Sequence, residues 1–272
     1  MNEELYHYGV KGMKWGVRRY QNYDGSRTAA GKKRYGSSPS SGSESKMSGG
    51  MVEQMAVYAA VYTAIFGGLA VAAKVSEKRM RKQKEEELED LYENRQIKSF
   101  KDAPKLKKKM SAEDSAKETN PEFPSMGTTM NCTFCTTAMV LREKGYDVKA
   151  TKLNDGWYSD DLFKKTFNSQ EVHMKDARTR KDVTNKLGVH GDGAYGNLVV
   201  TWKLGGSHSI FWKNENGTTN FYDGQSGKAY RSLADKNMLL DNVIISGTKY
   251  NRLDNCEPTD YALAVVEPNK SK

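Results

Sequence analysis

The stretch NCTFCTTAMVLREKG, from Asn131 to Gly145, places two thiols, Cys132 and Cys135, one helical turn apart behind an asparagine suited to an N-cap. Thiols so spaced can hold a metal, form a redox pair or supply a nucleophile, and each chemistry demands different company. Zinc needs four ligands, and with no second C-x-x-C pair Cys256 and a histidine would have to complete the set. A redox pair calls for an apolar strand leading into the motif, and PEFPSMGTTM is not one. A nucleophile needs a base and a group that orients the base. A non-catalytic reading also stands, in which Cys132 is a small buried residue, as free cysteines commonly are.

The elements around these residues bear on the choice. Phe134, Ala138 and Leu141 recur at helical spacing, and Gly145 closes the helix behind Arg142 and Lys144. Cys132 then stands at the first helical position, where unsatisfied N–H groups and the dipole favour a thiolate. Cys135 lies a turn further in, toward the apolar face. Cys132 is therefore the candidate nucleophile and Cys135 a core residue.

Of the four histidines, His7 lies in a basic tail, and His173 and His190 sit in polar stretches expected to be exposed. His208 differs, because it follows a glycine turn at the start of an apolar strand. NLVVTWKLGGSHSIFWKNENGTTNFYDGQSG reads as three strands, Leu198 to Trp202, His208 to Trp212 and Thr219 to Tyr222. If Asn216 and Gly217 are the central turn residues, Glu215 faces Thr218, Ile210 faces Asp223 and His208 faces Gln225. His208, Asp223 and Gln225 then share one face, with Asp223 diagonal to His208 and within side-chain reach. A carboxylate there accepts the imidazole N–H and stabilises the imidazolium.

An Asn-Cys-x-x-Cys helix start, a GG-x-H strand and an F-Y-D-x-Q-x-G strand, in this order, resemble the papain-fold toxin domain of bacterial polymorphic toxins, relatives of which include glutamine deamidases. The resemblance spans about residues 128–268. It implies an α+β, papain-like domain in which a cysteine helix packs on an antiparallel sheet. It also implies Cys132 as nucleophile, His208 as base and Asp223 as its orienter, with no metal and no cofactor. Gln225 matches the family's glutamine after the aspartate, and Asn131 and Gln225 are the candidate substrate or oxyanion contacts. No glutamine upstream of Cys132 matches the oxyanion residue of papain itself, so backbone N–H groups at the helix start are the physical substitute. The implied function is a toxin or effector enzyme that attacks a protein amide through a thioester, as a deamidase, a peptidase or a transglutaminase-like acyl transferase. The alternative is a non-catalytic structural or membrane-tethered interaction protein with a degenerate papain-like fold.

The rest of the 272-residue chain reads as a sequence of tethers. Hydrophobic content of 37% is low for a fully packed chain, three cysteines do not make a disulfide framework, and no secretory signal opens the sequence. A net charge of +9 favours anionic partners, and roughly two thirds of it precedes residue 128. Residues 1–36 form a basic, aromatic tail without specificity for nucleic acid. Within it HYGVKGMKWGVRRYQN resembles an element of proteins encoded by tailed phages, which implies a virion or other phage structural partner. Residues 37–50 are a Ser/Gly linker. Residues 51–75 hold an uncharged run from Met55 to Ala73, long enough to cross a membrane once, with a helix buried in a protein assembly as the alternative; as a span, the Lys and Arg residues behind it would place the C-terminal domain in the cytoplasm. Residues 76–98 read as a solvated charged helix, 99–127 as a linker, and 128–272 as the catalytic domain.

Overall fold

The computed structural model describes residues 74–153 and 156–269. The expected tail, the Ser/Gly linker and the apolar run from Met55 to Ala73 lie outside the described residues. Among the described residues no helix is long and apolar enough to cross a membrane.

A six-stranded antiparallel sheet organises the molecule. Its strands are β2 (Val172–His173), β3 (Tyr195–Thr201), β4 (Ser207–Glu215), β5 (Thr218–Asp223), β6 (Lys228–Tyr230) and β7 (Lys249–Arg252), in the order β2-β7-β3-β4-β5-β6. A separate pair joins β1 (Val148–Ala150) to β8 (Val266–Pro268). The central strands are apolar on both faces, and their period-two alternation divides the core in two. Phe211 and Tyr222 join Phe134, Met139 and Leu141 on one side. Ile210, Trp212 and Phe221 join Val183, Leu187, Leu239 and Leu240 on the other. The first side is closed by the cysteine helix and the second by helices at Arg180–Gly188 and Leu233–Leu240. The mixed helix and antiparallel-sheet architecture is papain-like.

Numbered along the chain, the helices are α1 (residues 74–93), α2 (Ala112–Thr119), α3 (Cys132–Glu143), α4 (Ser159–Phe167), α5 (Arg180–Gly188) and α6 (Leu233–Leu240). Every residue of α3 from Thr133 to Arg142 is buried, which marks a central helix rather than a surface one. Gly145 ends it at φ 90°, a conformation that glycine reaches without strain. The β4–β5 turn forms on Asn216 and Gly217, at φ 53° and 71°, with Glu215 opposite Thr218 as the sequence indicates. The strands run longer than the sequence suggests at most ends, while Trp202 falls just outside β3.

The segment before residue 128 differs from its expected role as spacer and linker. Leu88 of α1 is buried, with Leu91 and Tyr92 packed beside it, a narrow apolar stripe at helical spacing. Around that stripe Arg81 pairs with Asp160 at 3.2 Å and with Asp161, while Lys165 reaches Glu85 at 3.1 Å. The 99–127 stretch contains α2, whose Ala112, Ser115, Ala116 and Thr119 are buried. Arg142 ties this stretch to α3. Its buried guanidinium donates to Glu118 at 2.7 Å, Asp147 at 3.0 Å and the Val148 carbonyl at 3.0 Å. The high charge that suggests a solvated tether is partly consumed in these pairings.

Candidate active site

Cys132 opens α3 and is half-buried, with Asn131 at the N-cap position. Asn131 does not cap the helix with its side chain. It is fully buried and sits at the centre of a polar cluster instead. Its carboxamide nitrogen donates to the Thr151 carbonyl at 3.2 Å and to Asn120 Oδ1 at 3.4 Å. Its oxygen accepts from Gln225 Nε2 at 3.2 Å and from the Cys135 thiol at 3.4 Å. Both side chains read from the sequence as oxyanion contacts are thus engaged behind the helix start, where they fix its position. The nitrogen of Cys135 bonds the Asn131 carbonyl at 2.9 Å, as the first intrahelical bond of α3. The N–H groups of Cys132, Thr133 and Phe134 precede that bond and are the donors a helix start leaves over.

His208 and Asp223 come together from adjacent strands, with Nε2 3.1 Å from Oδ1. Asp223 is itself oriented by the Ser226 hydroxyl at 2.6 Å and the Gln225 N–H at 3.0 Å. Gly224 lets this corner lie against the helices, since a Cβ there would fall 2.9 Å from the Met139 sulfur and 3.2 Å from Thr119. With Nε2 taken by the carboxylate, Nδ1 is the nitrogen left to exchange a proton with Cys132. Burial disfavours the His208 imidazolium, but bonds to Asp223 and to the Cys132 sulfur outweigh it and push the pKa up to about 10. Burial likewise opposes the Asp223 carboxylate, and His208, Ser226 and the Gln225 N–H reverse the sign and hold it below its ordinary value. The arrangement can therefore keep a charged imidazolium beside the Cys132 sulfur in a water-poor corner.

The remaining thiols and histidines lie elsewhere in the chemistry. Burial, then the proximity of the Cys132 sulfur and the Asp223 carboxylate, drives the Cys135 thiol well above its ordinary pKa, so it remains protonated. Cys256 contacts the Arg252 carbonyl at 3.5 Å. Among the described residues no group of three or more His, Cys, Asp or Glu is arranged to hold a metal. His173 is exposed. His190, expected to be exposed, instead packs beside Trp212 and reaches the Tyr250 hydroxyl at 3.2 Å.

Two positioning features escape the sequence reading. Asn120, placed in the expected linker, donates to the Gln225 and Thr128 carbonyls, each at 3.0 Å. Thr136 Oγ1 lies 3.1 Å from the Cys132 carbonyl and 2.9 Å from Ser209 Oγ, next to His208. Ser209 then donates to Asn197 at 2.6 Å, Asn197 to Asn251 at 3.3 Å and Asn251 to Ser169 at 3.1 Å. This buried relay stitches α3, β4, β3 and β7 together. A threonine one turn after Cys132 and a serine one residue after His208 were the only signals for it.

Residues 130–228 match the family model described as papain fold toxin 1, glutamine deamidase. Over this segment the chain is similar to papain-fold toxin domains. The segment holds Asn131, Cys132, His208, Asp223 and Gln225, while α1 and α2 precede it. Residues 1–22 match a family of unknown function (DUF7211), which leaves the basic tail without an assigned role. No curated protein and no solved structure matches the chain.

Proposed function

We propose that the chain is a cysteine-dependent toxin enzyme that deamidates glutamine side chains in a target protein. The observation that carries this reading is the His208–Asp223 contact of 3.1 Å, with the Cys132 sulfur interacting with the same imidazole. The glutamine-deamidase description of the matching family supports the choice of side-chain amide over peptide bond. Cys132 thiolate attacks the amide carbon, and the oxyanion that forms is met by leftover N–H groups at the start of α3. The His208 imidazolium gives its proton to the departing nitrogen, releasing ammonia and leaving a thioester. A water then attacks the thioester while His208 takes its proton, which frees glutamate and restores the pair. Asp223 holds the imidazole in the required tautomer and offsets its charge in both steps.

The test is to express the full chain and its Cys132→Ala variant in a bacterial and a eukaryotic host and compare host proteins by mass spectrometry. Amide-to-acid conversion of glutamines, present with Cys132 and absent without it, is the expected result. Cleaved peptides would make the enzyme a peptidase, and isopeptide links an acyl transferase. Identical protein profiles in both hosts would leave the site without a catalytic role.

A further inference from the structure

A groove of about 510 Å³ opens beside His208, lined chiefly by Trp202, Leu204, Lys228, Tyr230, Met238 and Leu239. It shares walls with the catalytic corner on two sides. Trp202 stacks on the His208 ring, with centroids 6.4 Å apart and planes at 23°, and Lys228 is the strand partner of Asp223. We propose that this groove binds an acidic segment of the protein substrate with interspersed apolar side chains, next to the glutamine that enters the Cys132–His208 mouth. The proposal rests on the deamidase reading and adds a substrate class to it.

The apolar part of the argument is exposure. Leu204 is 103% exposed and Met238 52%, and Met130, two residues before Cys132, is 46% exposed. A glutamine side chain fills only the mouth, and the chain that bears it must continue along one lip or the other. Apolar side chains in that chain would cover surface that water otherwise wets.

The acidic part is charge complementarity. Lys228 lies in the groove with its ammonium 5.0 Å from the Tyr230 ring centre and no carboxylate at ion-pair distance among the described residues. Lys203, beside Trp202, spends its ammonium on the Asp241 carbonyl at 2.5 Å. Lys236, on α6 with Met238 and Leu239, is only 8% exposed and has no ion-pair partner among the described residues. Its charge is disfavoured by burial and by Arg231. The local carboxylates are already engaged, Asp235 with Ser232 in the capping box of α6 and Asp241 with Arg180. Lys228 is the exposed cation in the groove, so a glutamate or aspartate in the substrate segment gains a partner there that a lysine does not.

Two fluorescent peptides test this, acetyl-Glu-Leu-Gln-Leu-Glu-Phe amide and its analogue with both glutamates changed to lysine. Anisotropy with the full-length Cys132→Ala protein reads binding without turnover. The glutamate peptide should bind at least about tenfold more tightly than the lysine peptide. Adding Leu204→Asp or Met238→Glu, both at exposed positions, should erase that preference. Equal binding of the two peptides, or a preference that survives both substitutions, overturns the groove as the docking site. Ammonia release by the active chain separates this from the reading beneath it. Discrimination in binding without ammonia release would keep the groove and defeat the deamidase. Release at equal rates from both peptides would keep the deamidase and defeat the groove.

Discussion

The hairpin that carries His208 and Asp223 is specified by its own residues, whereas the helix that carries Cys132 is specified by segments scattered over the chain. In the hairpin a two-residue turn on Asn216 and Gly217 sets Glu215 opposite Thr218, and every later pair follows by counting. The helix start has no such local rule. Asn131 is held by Asn120, Thr151 and Gln225, and the far end of α3 is held by Arg142 through Glu118 and Asp147. A hairpin site can thus be read from one stretch of text, while a helix N-terminus becomes a site only once distant segments have docked around it.

The largest effect that would break this comparison is removal of the segments before residue 128. A chain beginning at residue 128 retains Cys132, His208 and Asp223 but loses Leu88, Ile97, Ala112 and Ala116 from the core, together with Asn120 and Glu118. We expect it to lack a cooperative thermal transition, while a chain beginning at residue 71 melts as the intact domain does. Cooperative melting of the shorter chain would show that α3 and the sheet position the site by themselves.

Asn131→Ala is the next largest. It removes one side chain and leaves the Gln225 carboxamide, the Thr151 carbonyl and the Cys135 thiol without their buried partner. A loss of about 2–3 kcal/mol in urea unfolding is expected. A loss within the range of a surface substitution would mean that the cluster is incidental to the position of the helix.

The hairpin was legible, and the surroundings of the helix were not, for identifiable reasons. Period-two alternation and a turn dipeptide are signals contained within a few residues. Asn120, by contrast, lies in a stretch of lysines, acids and prolines whose composition argues for solvation. What reverses that reading is pairing with partners far along the chain, such as Arg142 with Glu118, and composition does not record pairing. Asn131 shows the same limit on a smaller scale. Its type is right for a cap, and its position is at the cap, but its side chain is claimed by tertiary partners.

Charge sharpens the hairpin side of the comparison. The pKa of His208 rises from 6.5 to about 10, so the pair's contribution to stability is full below 6.5 and declines as pH rises through about 10. The Asp223 pKa is lowered from 3.8, so its contribution is present above 3.8 and is lost as pH falls through the depressed value. Stability from the pair should therefore be greatest between those limits, and Asp223→Asn should flatten both limbs of stability against pH. The same substitution should move the alkaline limb of kcat/KM to lower pH, because the imidazolium loses its carboxylate. An unchanged alkaline limb would assign that limb to another group.

The smallest effect concerns the second thiol, and it separates the two cysteines that sit one turn apart on the same helix. Cys135 is 1% exposed and donates to Asn131 at 3.4 Å, and burial above all keeps it protonated. It behaves as a small core residue with one weak donor. Cys135→Ala should therefore cost on the order of 1 kcal/mol in unfolding and leave turnover largely intact. Iodoacetamide at neutral pH should label Cys132 and spare Cys135 in the folded protein, since the first thiol is half-buried and the second is closed off. Loss of turnover in Cys135→Ala, with turnover retained in Cys132→Ala, would move the nucleophile one turn along α3. It would also detach it from His208, because the charged ring that the hairpin builds faces the start of the helix and not its second turn.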